Sequence, residues 1–320
     1  MAAVKKIKKA IKHGVVQPAR ETVLRANYRR GNYKEVIWLI GAARSGTTWI
    51  SNLINHDKKY RELFEPFHPR FVEPMNFLLP HQYVRPDEPN EQLEKIAGEV
   101  FSGKFMHARV DRGNRSLVYH GLLVKDVFAN LFAHWASNRF PQVKPVLLIR
   151  NPFPVALSIY KAKNWFWMKE PLEFLNQTKL IEDHLRPFEE IIRKTSAEQD
   201  PVLNQILIWS ILNYVPLRQF APGQCHICFY EDVLSNPHKE ISNIMRFVNS
   251  ATIVPERLQE EVIFRSSRTS ISGDRAADLN FWKNEMTSRQ IDAGLNLLDA
   301  FGFAELYDET STPNRTVLER

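Results

Sequence analysis

The stretch VIWLIGAARSGTTWISNLI, residues 36–54, constrains the fold more than any other part of the chain. An apolar run enters a loop bracketed by Gly41 and Gly46, and the loop enters a helical segment carrying Trp49, Ile50 and Leu53. A strand turning through such a loop into a helix directs the backbone N–H groups of Ser45 to Thr48 at an anion. The stretch departs from the triphosphate loop G-x-x-x-x-G-K-[ST] at one position, because Thr47 stands where the lysine would reach the β- and γ-phosphates. The expected ligand is therefore a 5′-phosphate joined to a departing group, with Arg44 as the fixed positive charge in the loop.

Four apolar runs read as buried parallel strands: Val36 to Ile40, Gly121 to Val124, Val146 to Ile149 and His226 to Tyr230. Helical patterns separate them. Phe128, Leu131, Phe132 and Trp135 recur at i, i+3, i+4 and i+7, and the apolar stretch from Pro201 opens with proline in a first helical turn. Strand and helix in alternation imply an α/β fold, a parallel sheet flanked by helices, with ligands beyond the C-terminal ends of the strands. Gly41 to Thr48, Lys125 and Arg150 all fall at such ends. Two irregular stretches rich in Pro and aromatics, starting at Phe64 and Lys163, exceed ordinary connections and are candidate substrate-binding insertions.

At 320 residues with 44% apolar content the chain can bury a sizeable core, and residues 35–320 read as one domain behind a basic arm, residues 1–34. The arm holds ten Lys and Arg against Glu21, a charge of +9 in a chain of net +7, so the body is slightly acidic and no nucleic-acid surface is expected. Val4, Ile7 and Ile11 among lysines suit a helix lying on an anionic membrane, or alternatively one that is solvated or docked on the core. No window approaches the roughly 18 apolar residues of a membrane span, so the expected location is cytoplasmic, with peripheral membrane contact through the arm. Cys225 and Cys228 read as reduced, buried thiols on opposite faces of a strand, not as a metal or redox pair.

RSGTTW after a strand resembles the 5′-phosphosulfate loop of the sulfotransferases that use 3′-phosphoadenosine-5′-phosphosulfate (PAPS), and VLLIRNPFPVALSIY resembles their 3′-phosphate motif. The resemblance spans roughly Val36 to Tyr307 and implies the family's P-loop-containing three-layer fold. It implies that Ser45, Gly46, Thr47 and Thr48 cradle the 5′-phosphate, that Trp49 stacks on adenine, and that Arg150 and Ser158 bind the 3′-phosphate. PAPS would be co-substrate and no metal would be required. The segment SSRTSISGDR departs from the family pattern, which leaves Arg268 as a weak candidate for the 3′-phosphate.

Sulfuryl transfer builds negative charge on the transferred and departing oxygens, which singles out Arg44 and Lys125 as catalytic cations. Cytosolic members place a histidine base two residues after the lysine, where this chain has Val127. Glu65, in a Glu-Pro pair resembling that of carbohydrate and bacterial sulfotransferases, is the expected base, held extended by Pro66 and with a pKa raised by the cleft, and His68 is the alternative. This pair, with Trp165 and Trp167 as stacking surfaces, points to a glycan or glycolipid hydroxyl as acceptor. The competing readings are a P-loop small-molecule kinase, with Asp126 as its best Mg²⁺ ligand, and a non-catalytic nucleotide-binding scaffold.

Overall fold

In the computed structural model, strand β1 (Glu35–Gly41) sits at the centre of a five-stranded sheet with β2 (Tyr60–Phe64), β3 (Gly121–Asp126), β4 (Val143–Ile149) and β5 (His226–Phe229), in the order β2-β3-β1-β4-β5. Every pairing is parallel. The structure describes residues 17–162, 168–256 and 279–318. The lysine-rich start of the arm, Trp165, Trp167 and Arg268 lie outside the described residues.

The continuous apolar runs are explained by cover on both faces of the sheet. Val36, Trp38 and Ile40 pack into one core and Ile37 and Leu39 into the other. The second core is closed by α2 (Thr47–Ile54) and α9 (Pro237–Phe247), through Ile50, Leu53, Ile241 and Ile244. The first is closed by α3 (Glu91–Ser102), α4 (Ala133–Arg139), α5 (Pro152–Tyr160), α7 (Pro201–Gln219) and α10 (Ser288–Ala300). Between them in the chain run α1 (Gln17–Arg29), α6 (Glu189–Ala197) and α8 (Tyr230–Ser235). Helix α7 starts as expected at Pro201, with the Asp200 carboxylate accepting from the N–H groups of Val202 and Leu203 at 2.8 and 3.2 Å. The expected helix through Phe128 starts later, as a 3₁₀ turn at Asn130–Phe132 before α4, because the Asp126 side chain takes the Phe128 N–H in a local turn. All four periodic residues are nevertheless buried.

The sequence reading omits β2, whose YRELF pattern carries two charges. Arg61 is fully buried there in a bidentate pair with Asp111, at 2.8 and 3.1 Å, and its remaining N–H groups reach the carbonyls of Gly103 and Phe105 at 2.6 and 2.5 Å. This pair fastens the 103–114 segment under the edge strand. Cys225 and Cys228 are free and buried in opposite cores, as expected for residues three apart at a strand. The second half of the basic arm is docked: α1 buries Leu24 and Asn27, and the Asn27 amide donates to the Leu117 carbonyl while accepting from the Tyr119 N–H.

Arg61→Ala leaves Asp111 buried without its counter-charge and should cost about 3–5 kcal/mol of stability in urea unfolding. A loss below about 1 kcal/mol would show the pair to be screened like a surface bridge.

Candidate active site

Each strand delivers functional groups to the same edge of the sheet: the Gly41 loop after β1, Glu65 after β2, Lys125 and Asp126 at the end of β3, Arg150 after β4, and Tyr230 with Glu231 after β5. The loop is held without clearance. A Cβ on Gly41 would lie 2.7 Å from the Leu148 carbonyl oxygen, and one on Gly46 would lie 2.6 Å from the Tyr230 ring. Gly46 takes the left-handed conformation, φ 96°, before the first turn of α2, and no side chain caps that turn. Ser45 is buried, with its hydroxyl donating to the Ala42 carbonyl. Thr47 is buried and Thr48 and Trp49 are half-buried.

Arg44, itself at φ 68°, donates from Nε to the Ser158 hydroxyl at 2.9 Å, and Arg150 donates to the Arg44 carbonyl at 3.3 Å. The two motifs of the sequence reading therefore converge on one cationic cluster, and Arg44 belongs to the Arg150 and Ser158 side of the loop. Burial, and then the repulsion of Arg150, lower the Arg44 pKa from its ordinary value. An anion bound beside both guanidinium groups would offset that repulsion. Tyr230 builds the adjoining wall, with Arg150 stacked 4.0 Å from its ring centroid and Trp49 tilted against it at 5.2 Å. Behind it, buried Glu231 accepts from the Asn151 N–H at 2.8 Å and from the Tyr307 hydroxyl at 3.0 Å, fixing the backbone beside Arg150. Burial raises the Glu231 carboxyl to about 7.

A second cluster stands on the β2 and β3 side. Lys125, 2% exposed, donates to Glu65 Oε1 at 2.8 Å, and Arg109 donates to Glu65 Oε2 at 2.6 Å. Arg109, Arg112 and Lys125 all lie over the Phe64 ring, at 5.2, 3.6 and 4.3 Å from its centroid. The backbone of Glu65 is not extended, as the following proline had suggested, but left-handed at φ 48°, in a turn whose N–H donates to the Lys125 carbonyl at 2.6 Å. Its pKa also differs from expectation. Burial does push the carboxyl up, but Lys125 and Arg109 outweigh it and hold the group below the ordinary carboxylate range.

His68 is buried, and its Nδ1 accepts from the N–H groups of Arg70 and Phe71 at 3.2 and 3.3 Å, while burial and then Arg109 push its pKa down to about 4. Asp126 is fully buried and accepts from the N–H groups of Phe67 and Phe128 at 2.9 and 2.7 Å, so it ties the Glu65 turn to β3 and offers no open metal position. On the face of the first core a small, mostly apolar cavity of about 30 Å³ borders the phosphate loop at Ala42 and Ala43, walled by Val127, Phe128 and Trp209. It shares Ile159 and Gln205 with an outer cavity of about 800 Å³ that carries Lys169, Glu170 and Arg193.

The sequence reading missed Arg109, Arg112, Tyr230 and Glu231. Tyr230 and Glu231 follow a strand end and were legible by the same rule that singled out Arg150, whereas the arginines lie in a polar segment whose docking depends on Arg61.

Residues 34–294 match the sulfotransferase domain family, and the chain belongs to that family, whose members take their sulfuryl group from PAPS. Among solved structures the chain is similar to the sulfotransferase domain from the curacin biosynthetic pathway, at 17% identity and a TM-score of 0.41 over 89% of this chain and 95% of that one. It is also similar to a sulfotransferase from Alicyclobacillus acidocaldarius, at 15% identity and 0.38 over 89% and 99%. A third likeness is the sulfotransferase domain of the Synechococcus PCC 7002 olefin synthase, at 15% identity and 0.42 over 86% and 96%. No curated protein matches.

A carboxyl whose folded pKa lies below its unfolded value contributes stability that is complete above an unfolded pKa of about 4.3 and drains away as pH falls through the folded value. Urea unfolding of the wild type should therefore weaken more steeply below about pH 4.3 than that of Glu65→Gln. Equal slopes would mean that Lys125 and Arg109 do not hold Glu65 ionised.

Proposed function

We propose that the chain is an O-sulfotransferase that moves the sulfuryl group of PAPS to an acceptor hydroxyl. The observation that carries this is the convergence of Arg44, Arg150 and Ser158 beside a phosphate loop that lacks the triphosphate lysine. Arg150 and Ser158 suit a 3′-phosphate, a group absent from ATP. Ser45, Gly46, Thr47 and Thr48 present helix-terminal amides and hydroxyls to a 5′-phosphate, and Trp49 with Tyr230 forms an aromatic wall for adenine. PAPS supplies an activated sulfuryl group on a good leaving phosphate. Arg44 and Lys125 then stabilise the charge that develops on the oxygens around sulfur. The kinase reading loses its Mg²⁺ ligand, since Asp126 is buried and engaged by two backbone N–H groups.

Glu65 fits best as the counter-ion that aims Lys125, because a carboxylate held below its ordinary range by two cations is a weak proton acceptor. The Glu-Pro resemblance supports a glycan or glycolipid acceptor. The cavity of about 800 Å³, where Ile159, Tyr160 and Leu172 stand beside Lys169, Glu170 and Arg193, supports the amphiphilic side of that range. The arm's contact with anionic membranes belongs to the same proposal. Because α1 is docked, deleting residues 2–16 tests it: vesicle flotation should be lost with turnover spared, and flotation that survives would refute the contact.

Adenosine 3′,5′-bisphosphate should protect the fold against thermal unfolding, by about 2.7 kcal/mol at a hundredfold excess over its Kd, and ATP with Mg²⁺ should protect it much less. Arg150→Ala should erase the difference. Equal protection by ATP in the wild type would favour a kinase.

With labelled donor and a panel of glycans, glycolipids, long-chain alcohols and phenols, Lys125→Ala and Arg44→Ala should lower kcat by roughly 10² or more while bisphosphate binding changes less. An unchanged kcat in Lys125→Ala would reduce that lysine to a partner of Glu65.

A further inference from the structure

Three of the four most exposed large apolar side chains among the described residues, Ile253 (85% exposed), Leu117 (75%) and Val118 (54%), stand at one edge of the sheet. It is the edge at which the strands begin. Lys59 enters β2, His120 enters β3 and Lys34 enters β1, and the three are tied together: the His120 N–H donates to the Lys59 carbonyl at 2.8 Å and the Lys34 N–H to the His120 carbonyl at 3.2 Å. Leu117 and Val118 lie just before His120. Ile253 follows Ser250 and Thr252, whose hydroxyls meet that of Tyr60, at the start of β2, at 2.8 and 3.4 Å. The phosphate loop is at the other edge, about 20 Å away along the seven residues of β1.

The exposed tips are held firmly. Tyr119, 2% exposed, accepts the Ser116 N–H at its hydroxyl, 3.0 Å, and so closes the turn that carries Leu117 and Val118. The Ser116 hydroxyl donates to the Lys58 carbonyl at 3.1 Å, and Asn27 of α1 holds the Leu117 carbonyl and the Tyr119 N–H. A turn anchored on these sides keeps two neighbouring aliphatic side chains in water with no packing gained inside the chain. Exposed cations stand beside them: Arg29 and Arg30 at the end of α1, Lys34, Lys58, Lys59 and Arg115. Among the described acids of this edge, Asp57 is paired with Lys59 at 2.9 Å, Glu35 accepts from the Tyr60 hydroxyl, and Glu256 is exposed. The balance is cationic.

We propose that this edge docks on an anionic lipid bilayer, with Leu117, Val118 and Ile253 entering the boundary between headgroups and acyl chains and the cations lying against the headgroups. Aliphatic tips among Lys and Arg match that boundary, whereas a polyanion such as a nucleic acid would engage the cations and leave the tips in water. The proposal extends to the folded domain the membrane contact proposed above for the arm, and rests on that reading for a second attachment. Residues 1–16 carry five lysines and no acid, and stable attachment to a membrane takes two signals where one is marginal. Docked in this way, the protein opens its phosphate loop on the aqueous side.

The test uses the full chain and vesicles of phosphatidylcholine, alone or mixed with phosphatidylserine. The wild type should float with the mixed vesicles and not with phosphatidylcholine alone. Leu117→Ser, Val118→Ser and Ile253→Ser together should lower its partition roughly tenfold or more. Lys34→Gln, Lys59→Gln and Arg115→Gln together should lower it by roughly 10². Both variants should bind adenosine 3′,5′-bisphosphate as the wild type does, which shows them to be folded. Because Cys225 and Cys228 are buried, a polarity-sensitive dye can be placed on Val118→Cys alone, and its emission should shift to the blue with mixed vesicles. The same dye on Leu79→Cys, 49% exposed in the insertion that follows Glu65, should not shift. Undiminished flotation of the serine variant overturns the proposal and leaves the arm's contact standing; if the glutamine variant then loses binding, the edge is a general polyanion site. A shift of the Leu79 dye without one at Val118 also overturns it. Flotation lost in the serine variant but kept after deletion of residues 2–16 would sink the arm's contact and not the edge, and a wild type that floats with neither vesicle sinks both.

Discussion

The register of β1 between its two neighbours fixes the position of everything at the site. Ile40 pairs with Asp126 on one side and Gly41 with Leu148 on the other. A slip of one residue would move Trp38 and Ile40 to the opposite core and bring a side chain against the Leu148 carbonyl, where only glycine fits. The two-sided apolar packing thus enforces the point at which the backbone leaves the sheet. From that point the loop, the first turn of α2 and the Tyr230 wall follow with little freedom.

Charge is distributed around this exit in two groups with different internal balance. Arg44 and Arg150 meet around a serine hydroxyl and a carbonyl, and Arg150 adds to the burial that lowers the Arg44 pKa. Lys125 and Arg109 instead share Glu65, which neutralises one of them and orders both. The buried acids Asp126 and Glu231 have another task, since each accepts a backbone N–H at a strand end and braces a turn that carries a cation. Acids and cations here are therefore not interchangeable partners: Asp126 and Glu231 shape the edge of the sheet, and the cations stand at that edge.

The loop and the Arg150 motif were legible because their chemistry is local, a strand end followed within a few residues by the groups that matter. Four strands were legible from continuous apolar runs, and β2 was not, because Arg61 and Glu62 read as solvent-facing when one is buried against Asp111 and the other takes the Ser51 hydroxyl. Long-range pairing of that kind leaves no periodic trace. Arg109 was invisible for the same reason, since its segment reaches Glu65 only through the Arg61 anchor. The backbone of Glu65 shows the limit of a local rule: the preference for extended geometry before proline yielded to a hydrogen bond with Lys125.

The sheet also acts as a partition. Trp49 and Tyr230 pack against the core on one face, while Phe128, Val155 and Trp209 wall a small cavity on the other, which borders the phosphate loop at Ala42 and Ala43. A change in packing on either face is therefore passed to the same few backbone atoms, and the loop answers to both cores at once.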